Sequence, residues 1–142
     1  MKKPLVVYVD ASCLIRRSKK QFKVAVVFPH RKPLTYTYID PHGNNNEAEM
    51  IACIKAVQWA DNNSMLDIIT DSKITENVFN YGLSRNMRHK KMKEIFEDTI
   101  AEKNLDVTVT WQRRERNRAD APSKIRKKDK FKERLNIWGY GL

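Results

Sequence analysis

Near Asn44 the apolar residues of this 142-residue chain change their period. Before that point they form short runs rich in Val, Ile, Thr and aromatic residues: residues 5–9 (LVVYV), 22–28 (FKVAVVF) and 34–39 (LTYTYI). Such runs read as strands, and LTYTYI alternates as a half-buried strand does. The polar and basic run ASCLIRRSKKQ reads as a turn region, and PHRKP as a five-residue hairpin connection. Three closely spaced strands imply an antiparallel meander. After the breaker segment DPHGNNN, apolar positions Ala48, Ile51, Ala52, Ala56, Trp59 and Ala60 recur at spacings of three and four, which is a helix.

The rest of the chain alternates. Residues 65–70 (MLDIIT) read as a fourth strand, and Ser72 caps a helix over about 73–81 that Gly82 stops. Met92, Ile95, Phe96, Thr99 and Ile100 mark another helix, and Leu105, Val107, Val109 and Trp111 a fifth strand. The remainder is basic and is expected to be helical, ending in NIWGYGL. The order β-β-β-α-β-α-α-β-α predicts an α/β fold, a mixed sheet with helices on its faces.

Charge narrows the class of partner. Lys and Arg outnumber Asp and Glu by 28 to 17, a net charge of +11. Residues 113–134 alone hold eleven Lys or Arg and four acids. This asymmetry points to a polyanion. No apolar stretch approaches the ~20 residues that span a bilayer, so no membrane is expected. The start MKKPLVVYVD is interrupted by Asp10 too early for a secretory leader. Cys13 and Cys53 lack zinc-ligand or CxxC spacing. They read as reduced thiols of a cytoplasmic protein.

Four acids stand at the ends of these elements: Asp10 after the first strand, Glu49 early in the first long helix, Asp71 after the fourth strand and Asp120 after the fifth. If the first and fourth strands are neighbours, Asp10 and Asp71 emerge side by side, with Glu49 able to reach them. Converging carboxylates repel unless a cation joins them, and all-oxygen ligands suit Mg²⁺ or Mn²⁺. A pair of such ions ~3.5–4 Å apart can activate water and stabilise the leaving oxygen of a phosphodiester. Asn44 followed by Glu47 has the capping-box arrangement, so Glu47 reads as the helix-start residue and Glu49 as the one aimed at the acids.

VYVDAS with Cys13, NNEAEMIA, IITDSK and NRAD are similar, in order and approximate spacing, to the four motifs of type 1 ribonuclease H, across residues 4–124. The resemblance implies a ribonuclease H-like fold with a five-stranded mixed sheet, three antiparallel then two parallel strands, flanked by helices. It implies a catalytic domain over 1–124; residues 125–142, with KIRKKDKFKERL, read as a basic extension that grips the substrate or as a disordered charged tail. It implies Asp10, Glu49, Asp71 and Asp120 as catalytic metal ligands for two Mg²⁺ (or Mn²⁺) ions, with Asp10 bridging both ions, Glu49 near the scissile phosphate and Asp120 completing the second site. The implied reaction cuts the RNA strand of RNA/DNA hybrids, leaving a 5′-phosphate and a 3′-hydroxyl. Ser12, Cys13, Asn45, Asn46 and Lys73 match positions that line the substrate surface. The partner implied is the hybrid, with the chain acting as a monomer and no small-molecule cofactor. The alternatives are a same-fold nuclease on another nucleic acid, such as a branched DNA junction, and a catalytically weak binder of hybrid or double strands.

The chain departs from the family pattern in several places. Ala11 replaces a glycine. LIRRSKK replaces a glycine-rich turn, with Arg16, Arg17, Lys19 and Lys20 as phosphate contacts in its stead. Lys73 replaces a glutamine. The loop of eight residues between Trp111 and Asp120 holds no histidine, and the basic handle between the middle helices is absent. Pro122 follows Asp120 closely, so the last helix starts late or is kinked, displacing Asp120.

Overall fold

In the computed structural model, which describes residues 3–82 and 84–139, five strands form one sheet in the order β3-β2-β1-β4-β5. The elements are β1 (Leu5–Arg16), β2 (Lys19–Val27), β3 (Leu34–Ile39), α1 (Asn45–Trp59), β4 (Met65–Thr70), α2 (Lys73–Tyr81), α3 (Met87–Lys103) and β5 (Asp106–Trp111). The first three strands pair antiparallel, and β4 and β5 add in parallel. This is the mixed sheet expected.

The first strand is longer than its apolar run. β1 continues through the segment read as a turn and pairs with β2 as far as Arg16↔Lys19. Only Arg17 and Ser18 turn, with φ of 52° and 63°. A two-residue loop with both φ positive matches the twist of a hairpin, although neither residue is the usual Asn or Gly. Asp10 therefore lies mid-strand.

The helices begin where side chains supply caps. Asn44 Oδ1 accepts from Glu47 N at 2.9 Å, and Ser72 Oγ accepts from Thr75 N at 3.1 Å. Gly82, with φ of 65°, ends α2 in the left-handed conformation that glycine adopts freely. From Glu47 to Val57 every residue of α1 is buried. α1 lies between the sheet and α3, with Met50, Ile51 and Ile54 packed in one core with Val7, Val9, Val24, Ile68, Met92 and Phe96. Truncating one of these, Ile51→Ala for example, is of the kind that costs ~2–5 kcal/mol.

The other sheet face is covered without a helix. The expectation of a helical C-terminal segment is not met: after β5 come a 3₁₀ turn at Arg114–Arg116 and a series of turns, and no α-helix among the described residues. The reason lies in the charges. A helix there would stack Lys124 on Lys128, Arg126 on Lys130 and Lys128 on Lys132, like charges at i,i+4. The segment instead anchors to the sheet. Lys23 Nζ donates to Lys124 O at 3.1 Å and pairs with Asp129 at 2.8 Å, and Thr37 Oγ1 donates to Lys130 O at 2.7 Å. At the outer edge of β3, Ile39 N donates to Glu133 O and Leu135 N to Ile39 O, and Ile137 is buried in the core. Residues 140–142 of the tail lie outside the described residues.

Candidate metal centre and nucleic-acid interface

β1 and β4 pair from Leu5↔Leu66 to Tyr8↔Ile69 and then part. The backbone groups that β1 would have offered to β4 beyond this point take other partners. Val9 O accepts from Asn117 Nδ2 at 2.8 Å, and Ala11 N donates to Glu49 Oε1 at 3.1 Å. The fork between the strands thus admits Glu49 from α1. Glu49 shares its helix face with Ala52, Cys53 and Ala56, small residues that let α1 approach the sheet closely.

Asp10, Glu49 and Asp71 meet in the fork, with one carboxylate oxygen from each within 4.8 Å of the others. Asp10 and Glu49 are buried, and Asp71 is partly so. Two carboxylates at such distances repel by roughly 3–4 kcal/mol at an effective dielectric of about 20. Burial, a hydrogen bond with Asp10, and the charges of Asp10 and Asp71 push the Glu49 carboxyl well above the usual range, against the Ala11 N–H. Burial and the charge of Asp10 also raise Asp71, and Arg114 partly offsets this. An octahedral Mg²⁺ holds opposite oxygens about 4.2 Å apart. Three carboxylates this close fit one such ion with small side-chain adjustments.

Asp120 stands apart from this group. It is half-exposed, and its Oδ1 lies 3.5 Å from Lys124 Nζ. Its charge still reaches Asp71 and Arg114. The turn that carries it is held by Asn117, whose Oδ1 accepts from Ala119 N at 2.9 Å, and by Ser123, whose Oγ donates to Asp120 O at 2.7 Å.

The family model for RNase H matches residues 2–125. The chain belongs to the RNase H family. Among solved structures, the N-terminal RNase H domain of a Mycobacterium tuberculosis protein is similar at 17% identity and a TM-score of 0.60, over 86% of this chain and 94% of that one. RNase H1 from the halophilic archaeon Halobacterium salinarum is similar at 17% identity and a TM-score of 0.60, over 84% of this chain and 93% of that one. LC11-RNase H1, solved in complex with an RNA/DNA hybrid, gives 17% identity and a TM-score of 0.60, over 82% of this chain and 91% of that one. These likenesses establish the fold. No curated protein matches.

In this RNase H chain the residues matched to the substrate surface lie on three elements. Asn45 and Asn46 are exposed in the first turn of α1. Cys13 is exposed on β1. Lys73, exposed at the start of α2, holds its Nζ 4.5 Å from the ring centroid of Trp111. Ser12 points to the other sheet face, where its Oγ donates to Ser123 O.

Three neighbours of the acids were not singled out from sequence. Arg114 Nε lies 3.3 Å from Asp71 Oδ2 and places a cation on the most open acid of the cluster. Ser123, fully buried, has its Oγ 3.2 Å from Asp10 Oδ2, but its single proton serves either Asp10 or Asp120 O. Thr70 Oγ1 lies 3.4 Å from Glu49 Oε2 and accepts from Ser72 N. Density of arginine in QRRERNRA was a signal for Arg114. Ser123 and Thr70 carried none.

Proposed function

We propose that this RNase H family member is a metal-dependent endonuclease that hydrolyses the RNA strand of RNA/DNA hybrids, leaving a 5′-phosphate and a 3′-hydroxyl. The observation that carries the reading is the Asp10–Glu49–Asp71 cluster: three carboxylates drawn together with no lysine or arginine, among the described residues, buried between them. Membership of the family and a hybrid-bound structural neighbour support the same substrate.

Asp10, Glu49 and Asp71 would hold Mg²⁺ or Mn²⁺, with Asp120 serving a second ion from the more open side. Bound there, the cation supplies an activated water and charge stabilisation of the leaving oxygen. The chain supplies position. The Ala11 N–H fixes Glu49 Oε1, and Thr70 Oγ1 lies 3.4 Å from its Oε2. Asn117 ties the loop bearing Asp120 to β1. Arg114, mostly exposed, can leave Asp71 for the phosphate that enters. Exposed Asn45, Asn46 and Cys13 would read the 2′-hydroxyl, which only RNA presents. Lys73, aligned over Trp111, adds a cation to the same side.

The test is one labelled duplex presented as RNA/DNA, RNA/RNA and DNA/DNA, with Mg²⁺, with Mn²⁺ and with chelator. Metal-dependent cleavage confined to the RNA strand of the hybrid is expected. Binding without cleavage of any duplex would sink the reading.

A further inference from the structure

The surface of the second sheet face carries a cation cluster that the catalytic reading does not use. Residues Asp10, Ser12, Leu14 and Arg16 alternate onto this face of β1. Their neighbours across the sheet are Lys23 opposite Ser12 and Lys19 opposite Arg16. The C-terminal segment lies against the same row, because Lys23 binds both Lys124 O and Asp129. Between them is a cleft of about 240 Å³ lined by Leu14, Arg16, Gln21 and, from the C-terminal segment, Arg126, Lys127, Asp129 and Phe131 among others.

The charge of this cleft is one-sided. Residues 11–28 contain no acid, and residues 121–132 contain one, Asp129. Asp129 is already committed: its Oδ2 lies 2.8 Å from Lys23 Nζ and 2.7 Å from Arg126 N. Arg16, Arg126 and Lys127 are exposed residues lining this concave floor, and exposed Lys19 stands opposite Arg16 in the sheet. Cations gathered across a strand row and a separate segment, with the acid between them consumed internally, present a site for a repeating anion.

We propose that this cleft binds the backbone phosphates of a nucleic-acid duplex on one flank of the cut, and so replaces the basic handle that the α2–α3 connection lacks. The inference rests on the catalytic reading for its register. Arg16 is six residues beyond Asp10 on the same strand face, about 20 Å at ~3.4 Å per residue. A duplex advances ~3.4 Å per nucleotide of each strand, so the cleft meets phosphates about six nucleotides from the scissile bond. One duplex can thus lie across both the acidic fork and the cationic cleft. Charge attracts it at the cleft, and the carboxylates that cut it sit at the fork.

The experiment uses the full chain and a hybrid whose short ribonucleotide block fixes the cut, with either ~3 or ~12 base pairs of duplex beyond it, on each side in turn. The variants are Arg16→Ala/Arg126→Ala/Lys127→Ala and its counterpart with Arg16→Lys and Arg126→Lys. In wild type, KM is expected to fall about tenfold when one flank is lengthened, and the alanine variant loses this gain. The lysine variant retains most of it, because a phosphate needs charge more than a fork of donors. In chelator, duplex binding by the alanine variant has a log–log salt slope shallower by roughly two to three, at ~0.9 for each phosphate no longer neutralised. Identical salt slopes for wild type and alanine variant overturn the inference, whether or not hybrids are cut. If wild type cuts no hybrid while the slopes still differ, the catalytic reading fails and the cleft stands.

Discussion

Glu47 and Glu49 sit two residues apart at the start of α1, and both are buried, with 3% and 1% of their surface exposed. Their surroundings differ in one respect. Glu47 has its counter-charge built in: Arg88 Nε lies 3.1 Å from its Oε1, and the same guanidinium binds Asp40. Asn86, capping α3 with its Oδ1 on Arg88 N and His89 N, brings that cation to the site. His89 adds its Nε2 at 3.4 Å from Glu47, without hydrogen-bond alignment. Glu49 faces Asp71 and Asp10, shares a hydrogen bond with Asp10, and is otherwise offered one backbone N–H and a distant hydroxyl. Equal burial thus hides opposite situations. A buried carboxylate with its cation in the fold serves the fold, and one that faces other carboxylates is relieved by a proton or, on the proposed function, by a cation from outside.

The largest effect should follow from Glu49→Gln. Turnover on hybrid is expected to fall by at least about 10²-fold, the scale of removing one preorganised electrostatic group. The melting temperature without metal should hold or rise, since the change relieves repulsion. Glu47→Gln should behave in the opposite manner. It weakens charged hydrogen bonds worth ~1.5–3 kcal/mol, so stability falls while turnover per folded molecule stays within about twofold. Steady-state rates and urea unfolding on the two variants decide the matter: equal losses of activity would erase the distinction.

Arg88→Ala presses on the same contrast from the cation's side. It leaves Asp40 and Glu47 buried without their partner, a loss of the kind that costs ~3–5 kcal/mol. The midpoint in urea should drop accordingly, with kcat retained below the melting range. A stability change under ~1 kcal/mol would mean that water already screens the pair, as it does for exposed ion pairs.

The two glutamates also mark how far the sequence could be read. The cap was legible, because Asn44 and Glu47 stand at the right spacing and the hydrogen bond forms. The fate of the Glu47 side chain was not: Asp40 and Arg88 are distant along the chain, and their meeting depends on how α3 crosses α1. Similarly, the fork was legible from acids at the ends of apolar runs, once the first and fourth strands were taken as neighbours; the plan of three antiparallel and two parallel strands came from the family resemblance. The length of β1 was not, because its second half is polar and its turn uses Arg17 and Ser18. The expected C-terminal helix is absent among the described residues, despite the helix propensity of Lys and Arg. Like charges at i,i+4 and side-chain anchors at Lys23 and Thr37 outweighed it.

A smaller effect should appear in the pH dependence of stability. Burial first, then the contact with Asp10, holds the Glu49 carboxyl above its ordinary value near 4.5, and burial and Asp10 raise Asp71 above 3.8. At intermediate pH the folded chain keeps protons that the unfolded chain has released. Their contribution is therefore full below the ordinary carboxyl values and is lost as pH rises through the raised ones. In chelator the melting temperature should decline as pH rises above the ordinary carboxyl range. On the proposed function Mg²⁺ would take the place of the protons, so saturating metal should flatten that decline or reverse it. Glu49→Gln should remove most of the slope in chelator. A decline that is the same with and without Mg²⁺ would mean that the ion does not engage the carboxylates in the fork.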